Sequence, residues 1–584
     1  MTLLDWSLVV LLNGAIIVHA LFGARGSESS REWFLGGRSL PWWIVGLSAF
    51  ATAIDSSDLV ADSGGVYSLG ISYFVTNWVG TVTGWILLAH CIALPMYKAG
   101  MYTNSEYLEA RFGPTARVLS SLVQVQYRTM VIANISTTLY LVFAVVGGLG
   151  SGAWWAVGLV VLLAVSYTIL GGSRSVAKTD AVQSVLMISA SLILFVLVWN
   201  AVGGWTGTQE KLAAHDAALP KQMLHVGGDR IDKVDLSDGS ESEVLRQLLL
   251  GGEYDSRTQT LTRSSPAWLA CISFVLVGMA YSIVNHEQAM RFFAARSAWD
   301  MKMAVVVASI LLIAITFFNL MMGIMGRALF PSRDLLPVDE AYRQTADAIY
   351  PILVRDFTTF GFKGLVIAGL LAAATSTYAG IGAAMSALLT RDVYARLFVR
   401  NADDAHYVRV GQWLTAAVVI GSFGYVPFLL RQGMMAFYLD LVATFVIPLL
   451  TIYLMGIFTS VHRKSGTIGL LTGVAYGVWR LVAQKLAVDY GVSSMPVWML
   501  NSFAAYPISL LITASTMVLV SLVLGWDSRA NLLHEEASGW LRSSQQKATG
   551  AAMPIDASHN DALPLALGLA VIGLGVALSF LIFW

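Results

Sequence analysis

The sequence predicts an all-α, polytopic membrane protein with about fourteen transmembrane helices. Hydrophobic residues make up 56% of its 584 residues and charged residues only 12%, which is about half of the charged fraction of a typical soluble domain. The apolar residues fall in blocks of about 20, the number of helical residues that crosses roughly 30 Å of hydrocarbon. Basic and acidic residues are equally numerous, 36 of each, so the composition indicates a lipid bilayer and no nucleic acid as a partner.

The apolar blocks define the spans in chain order. The first block has an acidic residue and no basic residue before its apolar stretch, so it is predicted to stay as a helix and not to be a cleaved signal peptide. The predicted spans cover approximately residues 4–22, 42–66, 70–97, 117–147, 153–171, 179–200, 267–290, 302–330, 361–390, 408–427, 436–459, 467–485, 502–525 and 563–583.

Positive residues collect in alternate connections between these spans. By the positive-inside rule those connections are cytoplasmic, which predicts a plasma (inner) membrane protein with both termini on the extracytoplasmic side. The residues concerned are Arg25, Arg31, Arg38, Lys98, Arg111, Arg117, Arg174, Lys178, Arg291, Arg296, Lys302, Arg391, Arg396, Arg400, Arg463 and Lys464.

The span at 42–66 is polar at its middle, where Asp55 and Asp58 flank two serines. A regular lipid-facing helix does not tolerate this run. A helix that is broken where it lines a cavity does, and its freed carbonyl groups can bind a cation. The alternative is that the span ends near Thr52 and that the polar run is a loop.

The span at 361–390 places three consecutive hydroxyl residues, Thr375, Ser376 and Thr377, at its middle. Hydroxyl and carbonyl oxygens suit a hard cation such as sodium. The alternative is that these hydroxyls bond back to their own helix. In the span at 179–200, Asp180 follows a Gly-Gly turn and two basic residues, and it is either a functional carboxylate or an acid favoured by the helix dipole.

Two further polar features lie inside apolar blocks. Arg128 has three possible roles: it binds an anionic solute through its guanidinium fork, it snorkels to the inner surface, or it pairs with Asp55 or Asp58. A run of four polar residues that begins at Asn285 either lines a cavity or marks the inward end of its helix.

Five segments, in this order along the chain, carry a family resemblance. They are FLGGRSLPWWIVGLSAFATAID, YTNSEYLEARFG, YTILGGSRSVAKTDAVQSVLM, MRFFAARSAWDMKMA and LLTRDVY. Together they resemble the motifs of the sodium/solute symporter family, which includes sodium/glucose, proline and sialic acid symporters. The resemblance covers roughly residues 30 to 460.

The resemblance implies the LeuT-type fold, in which two inverted five-helix repeats each begin with a broken helix. It divides this chain into a first peripheral transmembrane helix (1–30), a first repeat (31–200), an extracytoplasmic insertion (201–266), a second repeat (267–459), peripheral helices (460–525), a cytoplasmic linker (526–562) and a last transmembrane helix (563–584).

The resemblance also implies a sodium site between the first and eighth core helices. Asp180 matches an aspartate that is linked to sodium coupling, and Ala379 and Gly380 lack the hydroxyls that hold a second sodium ion in some members. One sodium ion per cycle is therefore expected. The matching ligands are the carbonyls of Ala51, Ile54 and Ala373 and the hydroxyls of Ser376 and Thr377.

At the positions that match the family's substrate site, this chain differs from the sugar-transporting members. Only Asn285 keeps the residue type found in those members. A sugar is therefore not favoured, and the solute is expected to be small and polar: a sugar or polyol, a carboxylate, or an amino-acid-like molecule. Arg128 lies on the helix from which the sialic acid branch uses an arginine. The candidate substrate-binding residues are Asp55, Asp58, Asn77, Arg128 and Asn285.

The expected function is sodium-coupled symport by alternating access, with sodium as the co-transported ion. An enzyme is not expected, because the sequence has no nucleophile–base pair, metal cluster or phosphate-binding loop. Two alternatives are a sodium-independent or proton-coupled permease of the same fold, and a membrane sensor that keeps a transporter body.

Overall fold

The computed structural model describes residues 1–23, 38–98, 101, 103–227, 230–235, 253–255, 260–343, 346–432, 434–492, 494–528 and 562–583. The predicted cytoplasmic residues Arg25 and Arg31 and most of the predicted linker, 529–561, lie outside the described residues. Within them the chain is almost entirely helical, and the predicted all-α class is confirmed.

In the described part of the first half of the chain, ten α-helices precede three short strands. They are α1 (Leu3–Gly23), α2 (Trp42–Ala53), α3 (Ser56–Leu69), α4 (Ser72–Leu87), α5 (Ala93–Lys98), α6 (Ser105–Phe112), α7 (Pro114–Val145), α8 (Ala153–Val202), α9 (Gly204–His215) and α10 (Leu219–Leu224). A π-helical turn, Leu88–Ile92, joins α4 to α5. The strands are β1 (Arg230–Asp235), β2 (Glu253–Asp255) and β3 (Thr260–Ser265).

Fourteen more α-helices are described in the second half. They are α11 (Ala267–Val284), α12 (His286–Phe293), α13 (Ala298–Leu329), α14 (Glu340–Arg343), α15 (Ile349–Phe357), α16 (Phe362–Leu388), α17 (Asp404–Ser422), α18 (Val426–Gln432), α19 (Met434–Leu441), α20 (Ile447–Phe458), α21 (Ser465–Tyr490), α22 (Val497–Leu500), α23 (Ala505–Leu524) and α24 (Ala562–Ala577). π-helical segments follow three of them, at Leu389–Phe398, Val442–Val446 and Leu578–Ile582.

The described residues contain eleven, or with one bent pair twelve, of the fourteen predicted spans as helices that could cross a membrane. The described residues contain eleven helices that are long and apolar enough to cross a bilayer, one bent pair of helices, and two shorter apolar helices at Leu3–Ile16 and Gly150–Ser166. The two shorter helices lie at the positions of the first and fifth predicted spans, which stay predictions.

One predicted boundary is wrong. The sequence predicts two spans separated by a turn at Gly171 and Gly172, but α8 runs from Ala153 to Val202 as one helix of 50 residues. A helix of this length would rise about 75 Å if it were straight, which is enough for two spans. Its two parts contact different helices: the carbonyl of Ile169 accepts a hydrogen bond from Gln412 of α17, 3.1 Å away, whereas Gln183 donates to Thr375 of α16 over 2.9 Å.

The first span of each predicted repeat is interrupted, as the polar runs predicted. The chain bends by 52° between α2 and α3. Asn285, between α11 and α12, has an extended backbone (φ −69°, ψ 109°) that ends one helix before the next begins. Both interruptions therefore come from polar residues whose side chains replace helical hydrogen bonds.

The two broken helices have equivalent partners. Along its whole length the α2–α3 pair lies parallel to α13: the amide of Trp42 donates to Asp300 (2.9 Å) and the hydroxyl of Ser63 donates to the carbonyl of Asn319 (3.1 Å). In the other half, α11 lies parallel to α4, because Gly80 faces Val275 and Gly84 faces Ser282. Since α12 and α13 are successive spans, the two broken helices run in opposite directions, as inverted repeats require.

The α4–α11 contact depends on a missing side chain. A Cβ atom at Gly278 would lie 2.5 Å from the carbonyl oxygen of Asn77 and 2.6 Å from the amide of Thr81, so the two backbones could not approach as they do. We expect Gly278→Ala to lower the free energy of unfolding by about 1–3 kcal/mol, the usual range for overpacking. Melting temperatures of the purified protein measure this.

Gly158→Ala is the matched control, because a Cβ atom at Gly158 meets nothing within 4 Å. This change should be neutral or stabilising by up to about 1 kcal/mol, since alanine is the better helix former. Equal melting temperatures for the two variants would contradict the close α4–α11 contact.

The beginning of the insertion, α1 and the segment after α24 meet the helical bundle at one face. The three strands form an antiparallel sheet in the order β1-β3-β2. The carboxylate of Asp5 in α1 accepts hydrogen bonds from the amide of Gly361 (3.0 Å) at the start of α16, and the carbonyl of Phe583 accepts one from Val226, beyond the end of α8. The start of α16 and the end of α8 share a face because these helices are antiparallel.

Candidate functional site

The break between α2 and α3 is held by a capping box. Asp55 accepts hydrogen bonds at Oδ1 from the amides of Ser57 (2.6 Å) and Asp58 (3.1 Å), and Asp58 Oδ2 accepts one from the amide of Asp55 (2.8 Å). Such reciprocal side-chain bonds satisfy the free amides at a helix start. The polar run at 55–58 is therefore the beginning of α3, and the alternative that the span ends near Thr52 in a loop is wrong.

The same capping box frees two carbonyl groups. In a continuous helix the amides of Asp55 and Asp58 would donate to the carbonyls of Ala51 and Ile54, four residues earlier. Here both amides donate to carboxylates instead, and neither carbonyl accepts a hydrogen bond from any described residue. Ala51 and Ile54, buried at 0% and 5% exposure, thus present unpaired carbonyl oxygens at the break.

The three hydroxyls of α16 have different partners. Thr375 bonds back to the carbonyls of its own helix, at Leu371 (3.0 Å) and Ala372 (3.2 Å), as the alternative interpretation predicted. Ser376 instead donates to a carboxylate on α8, and the hydroxyl of Thr377, which is fully buried, has no hydrogen-bond partner among the described residues. The back-bonding alternative is therefore wrong for Ser376 and Thr377.

Asp180 joins three helices. Its Oδ2 accepts a hydrogen bond from Ser48 of α2 (2.6 Å), and its Oδ1 accepts one from Ser376 of α16 (2.7 Å). The guanidinium of Arg291 in α12 lies 3.2 Å from the same carboxylate. Since Asp180 is 27 residues inside α8, which begins at Ala153, the alternative that it caps a helix start is wrong.

A cavity of about 890 Å³, including its open mouth, lies beside this break. Four of the five predicted substrate-binding residues line it: Asp55, Asp58, Asn77 and Arg128. Asn285 does not. Its side-chain oxygen accepts a hydrogen bond from the amide of Glu287 at the start of α12 (3.3 Å), so its position is explained by capping the second broken helix.

Arg128 is paired within the protein. Its Nη2 forms an ion pair and a hydrogen bond with Glu287, and both side chains are buried, at 1% and 0% exposure. The guanidinium also lies 5.7 Å from the ring centre of Tyr281. The sequence predicted Asp55 or Asp58 as its internal partner, and this is wrong: those carboxylates are engaged in the capping box, whereas Glu287 is presented by the opposite break.

Several residues of the cavity wall are not among those predicted from the sequence. Asp62 lies one turn beyond Asp58 on α3, and its spacing from Asp55 and Asp58 (seven and four residues) was the available signal for a shared face. Tyr281 and Tyr438 complete the aromatic wall together with Trp78. Aromatic residues are so common in membrane helices that their spacing alone does not indicate a cavity.

The last span contributes to this wall. The indole of Trp78 donates to the hydroxyl of Ser579 (3.1 Å), which itself donates to the carbonyl of Val75 (3.0 Å). The segment after α24 therefore holds a side chain of the cavity in place.

A second buried cluster joins two of the segments that carry the family resemblance, at the other end of α16. Asp392, from LLTRDVY, accepts hydrogen bonds from Thr103 (2.9 Å), Ser121 (2.6 Å) and the Nε of Arg117 (2.8 Å). Arg117 also pairs with Glu109 (2.8 Å), from the segment YTNSEYLEARFG. Because these side chains are buried and mutually satisfied, they fix α6 and α7 against the end of α16.

Comparison with known proteins gives the family. The model of the sodium:solute symporter family matches residues 33–477, well over half of the chain. Human sodium/glucose cotransporter 4 is 26% identical over 501 residues, which is 82% of this chain and 69% of that protein. Sodium/glucose cotransporter 1 of Sus scrofa is 26% identical over 509 residues, or 84% of this chain and 73% of that protein.

Solved structures agree on the fold. A Na⁺-coupled sialic acid symporter in a substrate-bound, outward-open state has a TM-score of 0.70 and 18% identity, covering 90% of this chain and 99% of that one. The nucleobase-cation-symport-1 transporter Mhp1 has a TM-score of 0.50 and 12% identity, covering 86% and 98%. The predicted LeuT-type fold is confirmed, and with residues 33–477 matching the family model, the chain belongs to the sodium:solute symporter family.

Proposed function

We propose that this protein couples the inward movement of one sodium ion to that of a small polar solute by alternating access. Membership of its family makes sodium the co-transported ion. The observation that carries the proposal is the juxtaposition, through Asp180, of the break after α2 with the hydroxyl pair of α16. The unpaired carbonyls on one side and the buried hydroxyl on the other, which has no partner among the described residues, are the oxygen atoms that we assign to the sodium site.

Five oxygen atoms are proposed as the sodium ligands: the carbonyls of Ala51, Ile54 and Ala373 and the hydroxyls of Ser376 and Thr377. The hydroxyl of Ser376 donates a hydrogen bond to Asp180, so the lone pairs of the Ser376 oxygen remain available to a cation. The charge of Asp180 favours a cation nearby, while Arg291, 3.2 Å away, moderates it. Asp180 thus acts through the hydroxyl that it orients.

Coupling follows from shared residues. Ile54 belongs to the proposed sodium site and also lines the cavity, and the capping box that frees its carbonyl presents Asp55 and Asp58 to the solute. A sodium ion that holds α2 against α16 therefore stabilises the shape of the solute cavity. By linkage, the solute must strengthen sodium binding by the same factor.

The solute site is proposed in the cavity, with Asp55, Asp58, Asn77 and Arg128 in its wall. Arg128 would shape the site through its pair with Glu287 and not bind a carboxylate directly. The positive residues of alternate loops support a location in the plasma membrane, with both termini of the chain on the extracytoplasmic side.

Transport by the reconstituted full chain tests the proposal. Proteoliposomes are given a mixture of sugars, polyols, amino acids, amines and carboxylates, and their contents are measured by mass spectrometry. At least one compound should accumulate above its external concentration when a sodium gradient points inward, and not when potassium replaces sodium. Accumulation that is equal in both salts, or that follows a proton gradient instead, would support the permease alternative and end the claim of sodium symport.

A further inference from the structure

The wall of the cavity carries an excess of acidic side chains. Three carboxylates, Asp55, Asp58 and Asp62, line it along one face of α3. Arg128 is the one basic residue among the described lining residues, and its charge is matched by Glu287. The cavity therefore presents carboxylates that no basic side chain of its wall neutralises.

Each of these carboxylates has at least one oxygen atom that accepts no hydrogen bond from a described residue. The capping box uses Oδ1 of Asp55 and Oδ2 of Asp58, and the second oxygen of each accepts no hydrogen bond from the described residues. Asp62 takes part in no hydrogen bond or ion pair with a described residue. It also lies too far into α3 to benefit from the positive end of the helix dipole, which acts within the first turn.

An independent observation on a different helix points to a ligand. Asn134 of α7 lines the same cavity and is buried, with 4% exposure. Its amide oxygen has no hydrogen-bond partner among the described residues. The side-chain oxygen of Asn77 on α4 is also buried and unpartnered. Buried acceptors are normally satisfied, so two unpaired acceptors on two helices call for a donor that the wall itself does not supply.

The remaining wall suits a cation. Trp78, Tyr281 and Tyr438 line it, and aromatic rings attract cations through their negative faces. A neutral polyol would leave the carboxylate charge unmatched, and an anion would be repelled by it, which in a low-dielectric interior is unfavourable by far more than in water. A solute with a positive charge and several N–H donors would neutralise the carboxylates and donate hydrogen bonds to the unpaired acceptors.

We propose that the solute of this cavity carries a protonated primary or secondary amine, which Asp62, Asp58 and Asp55 bind together with the amide oxygens of Asn77 and Asn134. This proposal rests on the proposed transport function and adds the substrate class. It also separates this chain from a carrier of neutral sugars or of carboxylates.

Equilibrium binding to the purified full chain in sodium buffer at pH 7 tests the proposal with two series that differ mainly in charge. One is glucosamine, glucose and glucuronate; the other is putrescine, 1,4-butanediol and succinate. In at least one series the amine should bind at least tenfold more tightly than the neutral and anionic members, measured by calorimetry or by the shift in melting temperature. No preference for the amine in either series would overturn the proposal, whatever else the carboxylates hold, including a second sodium ion or protons.

Asp62→Asn locates the effect. Asp62 makes no hydrogen bond or ion pair with a described residue, so the variant should fold as the native protein does and lose the preference for the amine by about tenfold or more. Asp356→Asn is the matched control, because Asp356 is half-exposed and pairs with Arg355 (2.7 Å) at the surface, and it should keep the preference. An unchanged preference in Asp62→Asn would overturn the assignment.

The same titrations in potassium buffer separate this proposal from the proposed function. Amine binding that needs sodium supports both. Amine binding of equal strength in both salts would leave the substrate class standing and contradict sodium coupling, whereas a sodium-dependent preference for the neutral or anionic member would contradict the substrate class alone.

Discussion

Replacing Arg128 by alanine is expected to destabilise the protein by about 3–5 kcal/mol, because the variant leaves the buried Glu287 without its ion-pair and hydrogen-bond partner. Both partners of this pair are buried, with side-chain exposures of 1% and 0%, and no other described residue donates a hydrogen bond to Glu287. The effect should appear as a large fall in the melting temperature of the purified protein.

Two companion variants isolate the cause. Arg128→Lys keeps a positive charge beside Glu287 and should lose much less stability. Combining Arg128→Met with Glu287→Gln removes both charges and should recover most of the loss, since replacing a buried pair is far less unfavourable than breaking it. Native stability of Arg128→Ala, together with a loss of solute affinity in Arg128→Lys, would instead mean that Arg128 binds a solute carboxylate.

The double variant Ser376→Ala and Thr377→Ala is expected to abolish the response to sodium while preserving the fold. It removes two of the five proposed ligands, and each lost ligand should weaken sodium binding at least tenfold, or about 1.4 kcal/mol. Thr377 makes no hydrogen bond with a described residue, so its loss leaves nothing unpaired. The rise in melting temperature between potassium and sodium buffers, which the native protein should show through mass action, measures the effect.

Thr375→Ala is the control for that variant. Its hydroxyl is of the same size and lies in the same helix, but it bonds to the carbonyls of Leu371 and Ala372 and is not a proposed ligand. It should keep the sodium-dependent rise in melting temperature. If the double variant kept that rise as well, the ligand assignment would be wrong.

The broken helices could be predicted because polarity inside an apolar block has few physical solutions. The aspartates at 55 and 58 either end a span or begin a new half-helix, and only the second keeps the following apolar residues in the membrane. The partner of Arg128 could not be predicted in this way. Its choice between Asp55 and Glu287 depends on which carboxylates the capping box occupies, and that is decided by backbone geometry at the break.

The continuity of α8 shows the limit of turn residues as signals. Gly171 and Gly172 would weaken a helix in water, where solvent competes for the exposed peptide groups. A glycine costs a helix only about 1 kcal/mol relative to alanine, so a glycine pair does not by itself end a helix whose turns on both sides are held by packing. Asp62 was missed for another reason: its spacing from Asp55 and Asp58 indicates a shared helix face, but it does not show that a cavity lies along that face.

Binding of radioactive sodium to the purified protein, without any solute, tests the central claim most directly. The account predicts saturable binding of one sodium ion per chain that unlabelled sodium displaces and potassium does not, and that the Ser376→Ala, Thr377→Ala double variant lacks. Binding that does not saturate, or that survives unchanged in the double variant, would contradict a sodium site between the α2–α3 break and α16.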